Sequence, residues 1–170
     1  MNEQAVKKLL SDVAAGDLSP DMALDRLLRL PFEDVGGFAK IDHHRGLRCG
    51  APEVIFCEGK TPEQVRDIAR TIIDSGVNML ATRARAEHYA AVCETAPDAE
   101  YNASGRCITV EQEEVEPAGQ VLVVTAGTSD LPVAEEAVTT ARMLGARTEL
   151  LTDVGVAGLH RLLAHGDVLT

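Results

Sequence analysis

The 170-residue chain predicts an α/β protein: a helical hairpin and a small α/β domain over residues 1–117, then the first half of a doubly wound parallel sheet over 118–170. Three observations predict it. Apolar residues at helical spacing alternate along the chain with short β-branched runs, the pattern of alternating helices and strands. The run VLVVTA, Val121 to Ala126, lacks the polar alternation of a half-exposed strand, as expected of a parallel strand covered on both faces. The acidic EQEEVEPAGQ, Glu111 to Gln120, divides the two patterns and reads as a linker.

The elements follow in order. Val6, Leu9, Leu10 and Val13 share a helical face that ends at Gly16. Ser19 is an N-cap with Pro20 in the first helical position, and Ala23, Leu24, Leu27 and Leu28 form a second stripe before Pro31. After the Gly36-Gly37 break, FAKID and PEVIFCE read as short strands. Thr61-Pro62-Glu63-Gln64 is a capping box opening a helix with Val65, Ile68, Ala69, Ile72 and Ile73 inward. VNMLAT is a strand, RAEHYAAVCETA a helix and RCITVEQ a strand. Beyond the linker come strand VLVVTA, turn GTSD, a helix from Pro132 to Leu144 closed by Gly145, strand RTELLTD and a helix around Val156 to Leu163. The second unit then has about 50 residues where such a domain ordinarily needs 100 or more, so the sequence is expected to end partway through it.

Composition removes several functions. Aromatics are 3% with no Trp, too few for a base-stacking surface, and a net charge of −11 disfavours nucleic acid and anionic membranes. No apolar stretch approaches the roughly 20 residues of a membrane span, and MNEQAVKKLL lacks the apolar core and cleavage site of a signal peptide. A cytoplasmic protein is expected. Cys49, Cys57, Cys93 and Cys107 contain no CxxC pair and are expected as reduced thiols.

In open parallel sheets ligands bind beyond the carboxyl ends of the strands, where N–H groups at helix starts carry partial positive charge. Gly127-Thr128-Ser129-Asp130 stands at such an end. Gly127 allows close backbone approach, Thr128 and Ser129 offer hydroxyls, and Asp130 suits ribose hydroxyls better than a phosphate it would repel. Equally, Ser129 or Asp130 is only a helix cap, a role worth about 1 kcal/mol. In LTDVGVAGLHR, Asp153 ends the next strand, and Gly155 and Gly158 loosen the turn before His160 and Arg161. Neighbouring strands lie about 5 Å apart, so Ser129, Asp130, Asp153 and His160 can converge on one crevice. Taken alone, a His on such a loop-to-helix turn is more often a surface or capping residue than a catalyst. In IDHHRGLRCG, His43 and His44 sit next to each other on what reads as a strand and point to opposite faces, which argues against a shared metal ion with Cys49. Arg45 and Arg48, with Lys60, Arg83 and Arg85 near other strand ends, form either a local anion site or scattered surface charge.

VLVVTAGTSDLPVAEEA followed by TDVGVAGLHR resembles the carboxylase domain of phosphoribosylaminoimidazole carboxylase, a flavodoxin-like unit in which a Gly-Ser-x-Ser-Asp turn and a later His-Arg turn form the nucleotide site. IDHHRGLRCGAPEVIFCEGKTPEQV and NMLATRA resemble the N-terminal domain of the pyridinium-3,5-biscarboxylic acid mononucleotide synthases, the carboxylase/hydrolases that begin nickel-pincer cofactor synthesis. The resemblance covers nearly the whole chain.

It implies carboxylation of the pyridinium ring of nicotinic acid adenine dinucleotide by carbon dioxide or bicarbonate, with hydrolysis of the phosphoanhydride to release AMP. It implies Ser129 and Asp130 as the nucleotide turn, with Asp153, His160 and Arg161 lining the same crevice and His160 as a base. The family's nucleophilic cysteine corresponds to a position beyond Thr170, so the 170 residues alone are expected to be inactive and poorly soluble. Relatives assemble as octamers. The resemblance implies no cofactor firmly; Mg²⁺, which the sequence permits, would assist hydrolysis by neutralising phosphate oxygens. Two alternatives stay open: an aminoimidazole ribonucleotide carboxylase or mutase, and a noncatalytic dinucleotide-binding module.

Overall fold

A computed structural model of the chain describes residues 3–28 and 32–166. Pro31 and the side chains of Leu27, Leu28 and Arg48 lie outside the described residues. The fold is mixed α/β, with two-stranded, four-stranded and two-stranded sheets in chain order.

Helices α1 (Glu3–Ala15) and α2 (Pro20–Leu28) form the hairpin. The chain turns at Gly16, whose φ of +82° favours glycine, and Ser19 Oγ accepts the Met22 N–H at 3.2 Å. Its seam is narrower than the sequence stripes imply. Leu9, Leu18 and Ala23 are buried with Val13 against them, whereas Leu10 and Leu24 face solvent, because two helices meeting along one line cover only part of a broad stripe.

Strands β1 (Phe32–Val35) and β2 (Ala39–Asp42) pair antiparallel around Gly36-Gly37, with Val35 opposite Ala39. β2 ends where Asp42 Oδ1 accepts the His44 N–H at 3.0 Å, and α3 (Arg45–Cys49) begins directly after. His43 and His44 therefore lie in a turn and not on a strand, so the opposite-faces argument does not apply to them.

The central sheet has the order β3 (Val54–Phe56), β4 (Met79–Thr82), β6 (Cys107–Val110), β5 (Glu100–Asn102). β3 and β4 run parallel across helix α4 (Pro62–Asp74), and β6 is antiparallel to both β4 and β5. The capping box that opens α4 is complete: Thr61 Oγ1 accepts the Gln64 N–H at 3.3 Å, and Gln64 Oε1 accepts the Thr61 N–H at 3.0 Å. α4 and α5 (Ala86–Cys93) cover one face, enclosing Val65, Ile68, Ile72, Met79, Val92, Ile108 and Val110. Along β4 and β6 every residue is buried, so the other face is covered as well.

That cover comes from the second unit. β7 (Gln120–Val124) and β8 (Arg147–Leu151) pair in parallel, with Val124 opposite Leu151, and the crossover helix α6 (Leu131–Met143) packs on both of them. α6 also packs on β4 and β6, where Met143 joins buried Leu80 and Cys107. A short α7 (Leu159–Leu163) follows β8.

Candidate functional site

The chain past β7 and the chain past β8 are bonded to each other, which follows from the parallel register carried one residue further. The Thr125 N–H donates to the Leu151 carbonyl at 2.9 Å, the Val154 N–H to the Thr125 carbonyl at 3.0 Å and the Gly155 N–H to the Ala126 carbonyl at 3.0 Å. The hydroxyl of buried Thr125 accepts the Asp153 N–H at 3.3 Å. Sequence reasoning missed Thr125, whose signal is its place as the first polar residue after an unbroken apolar strand.

On one wall, Thr128 to Asp130 make a single tight helical turn leading into α6, and all three are exposed. Asp130 Oδ2 accepts the Gly127 N–H at 3.0 Å and the Asp130 N–H donates to the Gly127 carbonyl at 3.1 Å, so the carboxylate closes the turn on itself. Asp130 thus caps the tight turn by reaching back to the Gly127 N–H, and its side chain makes no cap bond to α6; Thr128 and Ser129 are exposed at the helix start.

On the other wall, Asp153 holds φ at +57°, a left-handed conformation that Asp tolerates better than most side chains. Its carboxylate accepts from Arg161 Nη1, pairing two of the expected site residues. A Cβ on buried Gly158 would lie 2.6 Å from Arg161 Nε, so the glycine lets the guanidinium fold back over its own turn. His160 is exposed at the start of α7, and among the described residues no hydrogen bond or ion pair joins it to Gly127–Asp130. The structure thus brings the two loops together, and Asp153 to Arg161, while His160 faces solvent.

The basic residues are engaged separately. Lys60 Nζ donates to the Phe56 carbonyl at 2.6 Å, Arg85 pairs with Glu87 at 2.7 Å, and Arg83 reaches Glu136 of α6 at 2.8 Å. Arg45 is exposed at the first position of α3. Among the described residues no group of three or more His, Cys, Asp or Glu could hold a metal ion, and the carboxylates of Asp130 and Asp153 accept from the Gly127 N–H and from Arg161.

None of the four cysteines is placed at the crevice turns. Burial pushes the Cys57 and Cys107 thiols up to about 11, with nearby Lys60 only partly offsetting the effect at Cys57. Cys49 is exposed on α3 and Cys93 is half-buried at the end of α5. No helix among the described residues is long and apolar enough to cross a membrane.

Two βα turns side by side at the carboxyl end of a parallel strand pair define an α/β protein with its loops at the end of the sheet where such folds hold ligands. Comparison with known proteins narrows the class. Residues 32–113 match the family model described as LarB/PurE-like N-terminal domain, a span that runs from β1 to the start of the linker. An uncharacterized protein of Methanocaldococcus jannaschii is 29% identical over 172 residues, covering 92% of this chain. The chain spans 64% of that relative's length.

Proposed function

We propose that the chain carries the N-terminal domain and the nucleotide-binding turns of a pyridinium-3,5-biscarboxylic acid mononucleotide synthase, acting on nicotinic acid adenine dinucleotide. The observation that carries this reading is the bonded pair of turns, Gly127–Asp130 and Asp153–Arg161, in a chain whose 32–113 segment matches a LarB/PurE-like N-terminal domain. In this reading the adenosine or ribose hydroxyls meet Asp130, Ser129 and Thr128, and Arg161 faces the phosphates. In the same reading His160, exposed at the start of α7, is the base.

The chemistry sets one further demand. A pyridinium carbon is electron-poor and cannot attack carbon dioxide until a nucleophile adds to the ring and turns it into an enamine. The new C–C bond forms from that enamine, a base removes the ring proton, and the returning electron pair expels the nucleophile. Cys57 and Cys107, protonated at neutral pH, do not suit that role. As the resemblance implies, and not by elimination among the four cysteines present, the nucleophile in this reading is a cysteine beyond Thr170, and assembly as an octamer belongs to the same proposal.

The test is to incubate the protein, in the longest form its gene encodes, with nicotinic acid adenine dinucleotide and bicarbonate in Mg²⁺-containing buffer, and to analyse the products by mass spectrometry. AMP together with a doubly carboxylated pyridinium mononucleotide is the expected result. Turnover of aminoimidazole ribonucleotide in its place would overturn the substrate, and tight dinucleotide binding without any product would overturn catalysis.

A further inference from the structure

α6 is shared between two sheets, and it meets the first unit along its length, at Glu135, Glu136, Thr139 and Met143. Asn102, at the end of β5, donates from Nδ2 to Glu135 Oε2 at 2.9 Å and to the hydroxyl of buried Thr139 at 3.3 Å. Arg83, just past β4, places Nε 2.8 Å from one Glu136 carboxylate oxygen and 3.2 Å from the other. Between them Gly105 is pressed so close that a Cβ there would lie 2.8 Å from both the Glu135 carbonyl carbon and the Glu136 nitrogen.

These three groups are themselves held in place. Asn102 Oδ1 accepts the Gly105 N–H at 2.9 Å. Arg83 and Arg106 both adopt left-handed φ, +55° and +54°, a conformation that non-glycine residues keep only where surroundings enforce it. Arg106 supplies that enforcement: its guanidinium donates to the carbonyls of Arg83 at 3.1 Å and Ala84 at 3.3 Å, while its own carbonyl accepts the Ala84 N–H at 2.7 Å. Two strained loops thus brace one another and grip one helix.

We propose that Arg83, Asn102 and Gly105 are positioning residues: the first sheet grips α6 at Glu135 and Glu136 and so fixes where the Gly127–Asp130 turn stands against the Asp153–Arg161 turn. Glu135 is five residues beyond Asp130, about 7.5 Å along the helix axis, and the Asp130 bonds to Gly127 make the turn continuous with the helix. A displacement of α6 therefore carries the turn with it. The inference rests on the nucleotide reading for its functional meaning but not for its mechanics.

The experiment compares backbone amide exchange of the ligand-free wild-type protein with Arg83→Ala/Asn102→Ala and Arg83→Lys, and measures AMP binding by calorimetry on each. Expected are at least tenfold faster exchange at Gly127 and Asp130 and about tenfold weaker AMP binding in the double variant, β6 amides staying protected, with Arg83→Lys close to wild type. Faster exchange confined to residues 135–139, or none, would overturn the proposal, since Arg83 and Asn102 would then only glue the units together. Because Arg83 is two-fifths exposed, Arg83→Gln alone leaves the core intact and decides the matter by the same comparison if the double variant does not fold. If the wild type binds no nucleotide while the turn amides still respond, the positioning stands and the nucleotide reading fails.

Discussion

The N–H of Gly155 donates to the carbonyl of Ala126 at 3.0 Å, and a Cβ on Gly155 would sit 2.7 Å from that same oxygen. Its φ of −62° is available to any residue, so the glycine is required by the neighbouring loop and not by its own backbone. Gly155→Ala must force the two crevice turns apart. It is expected to destabilise the protein by about 1–3 kcal/mol in urea unfolding and to weaken AMP binding together with it. Wild-type values for both would mean that the turns are not pressed together in solution.

Asp130 allows cap and ligand roles to be separated. Asp130→Ala removes the acceptor of the Gly127 N–H and should cost about 1 kcal/mol, whereas Asp130→Asn keeps an oxygen in place and discards only the charge. If the carboxylate accepts from ribose hydroxyls, the Asn variant loses about tenfold in nucleotide affinity, because hydrogen bonds to a charged acceptor are the stronger kind, and keeps its melting temperature. An unchanged affinity in calorimetry would leave Asp130 as a cap alone.

Much of the fold is legible in the residues themselves. Thr61 and Gln64 announce α4 and Ser19-Pro20 announces α2, because each signal is local. VLVVTA announces a parallel strand, but the cover on both faces that its apolar run implies is not found, since Val121 and Val124 of the two-stranded sheet are exposed. The hairpin strand β1 and strand β5 are not legible. FEDV is mostly exposed and EYN is only three residues long, so neither carries an alternation to read. The complete burial of Met79–Thr82 and Cys107–Val110 is hinted at by their apolar runs, but the cover over Leu80 and Cys107 comes from Met143, far along the chain and past a linker. For the crevice, the two turns were readable as strand ends, whereas the contact that joins them, Thr125 to Asp153, and the grip of Arg83 and Asn102 on α6 depend on tertiary placement that no spacing encodes.

His88 is the buried polar centre of the first unit. It is fully enclosed, its Nδ1 accepts the Arg85 N–H at 3.0 Å, and its Nε2 lies 3.1 Å from the Lys60 carbonyl. An accepting Nδ1 puts the proton on Nε2, which donates to Lys60, so one side chain ties the loop after β3 to the start of α5. His88→Ala leaves both backbone groups unpaired beside a cavity and is expected to destabilise by roughly 3 kcal/mol in chemical denaturation. Nitrogen chemical shifts of the wild-type imidazole should report the Nε2–H tautomer, and an Nδ1–H assignment would contradict the bonding described.

Cys57 and Cys107 make stability depend on alkaline pH. Both are buried, and burial raises them from 9.0 to about 11 in the folded chain, whereas in the unfolded chain each ionises near its ordinary value. Below pH 9 both states hold these protons and stability does not vary with pH on their account. Between about pH 9 and 11 the unfolded state releases them while the folded state keeps them, so unfolding is favoured as pH rises, by about 1.4 kcal/mol per pH unit for each thiol. Urea midpoints measured from pH 7 to 11 should therefore hold level and then fall above pH 9, and Cys57→Ala should make the fall shallower even where its cavity lowers the midpoint at pH 7. In the same range the folded protein should lose only exposed Cys49 rapidly to a thiol reagent, with Cys57 and Cys107 modified at the rate of unfolding. Rapid modification of Cys57 at pH 8 in the folded state would show that the end of β3 opens, and would remove the reason for excluding its thiol as a nucleophile.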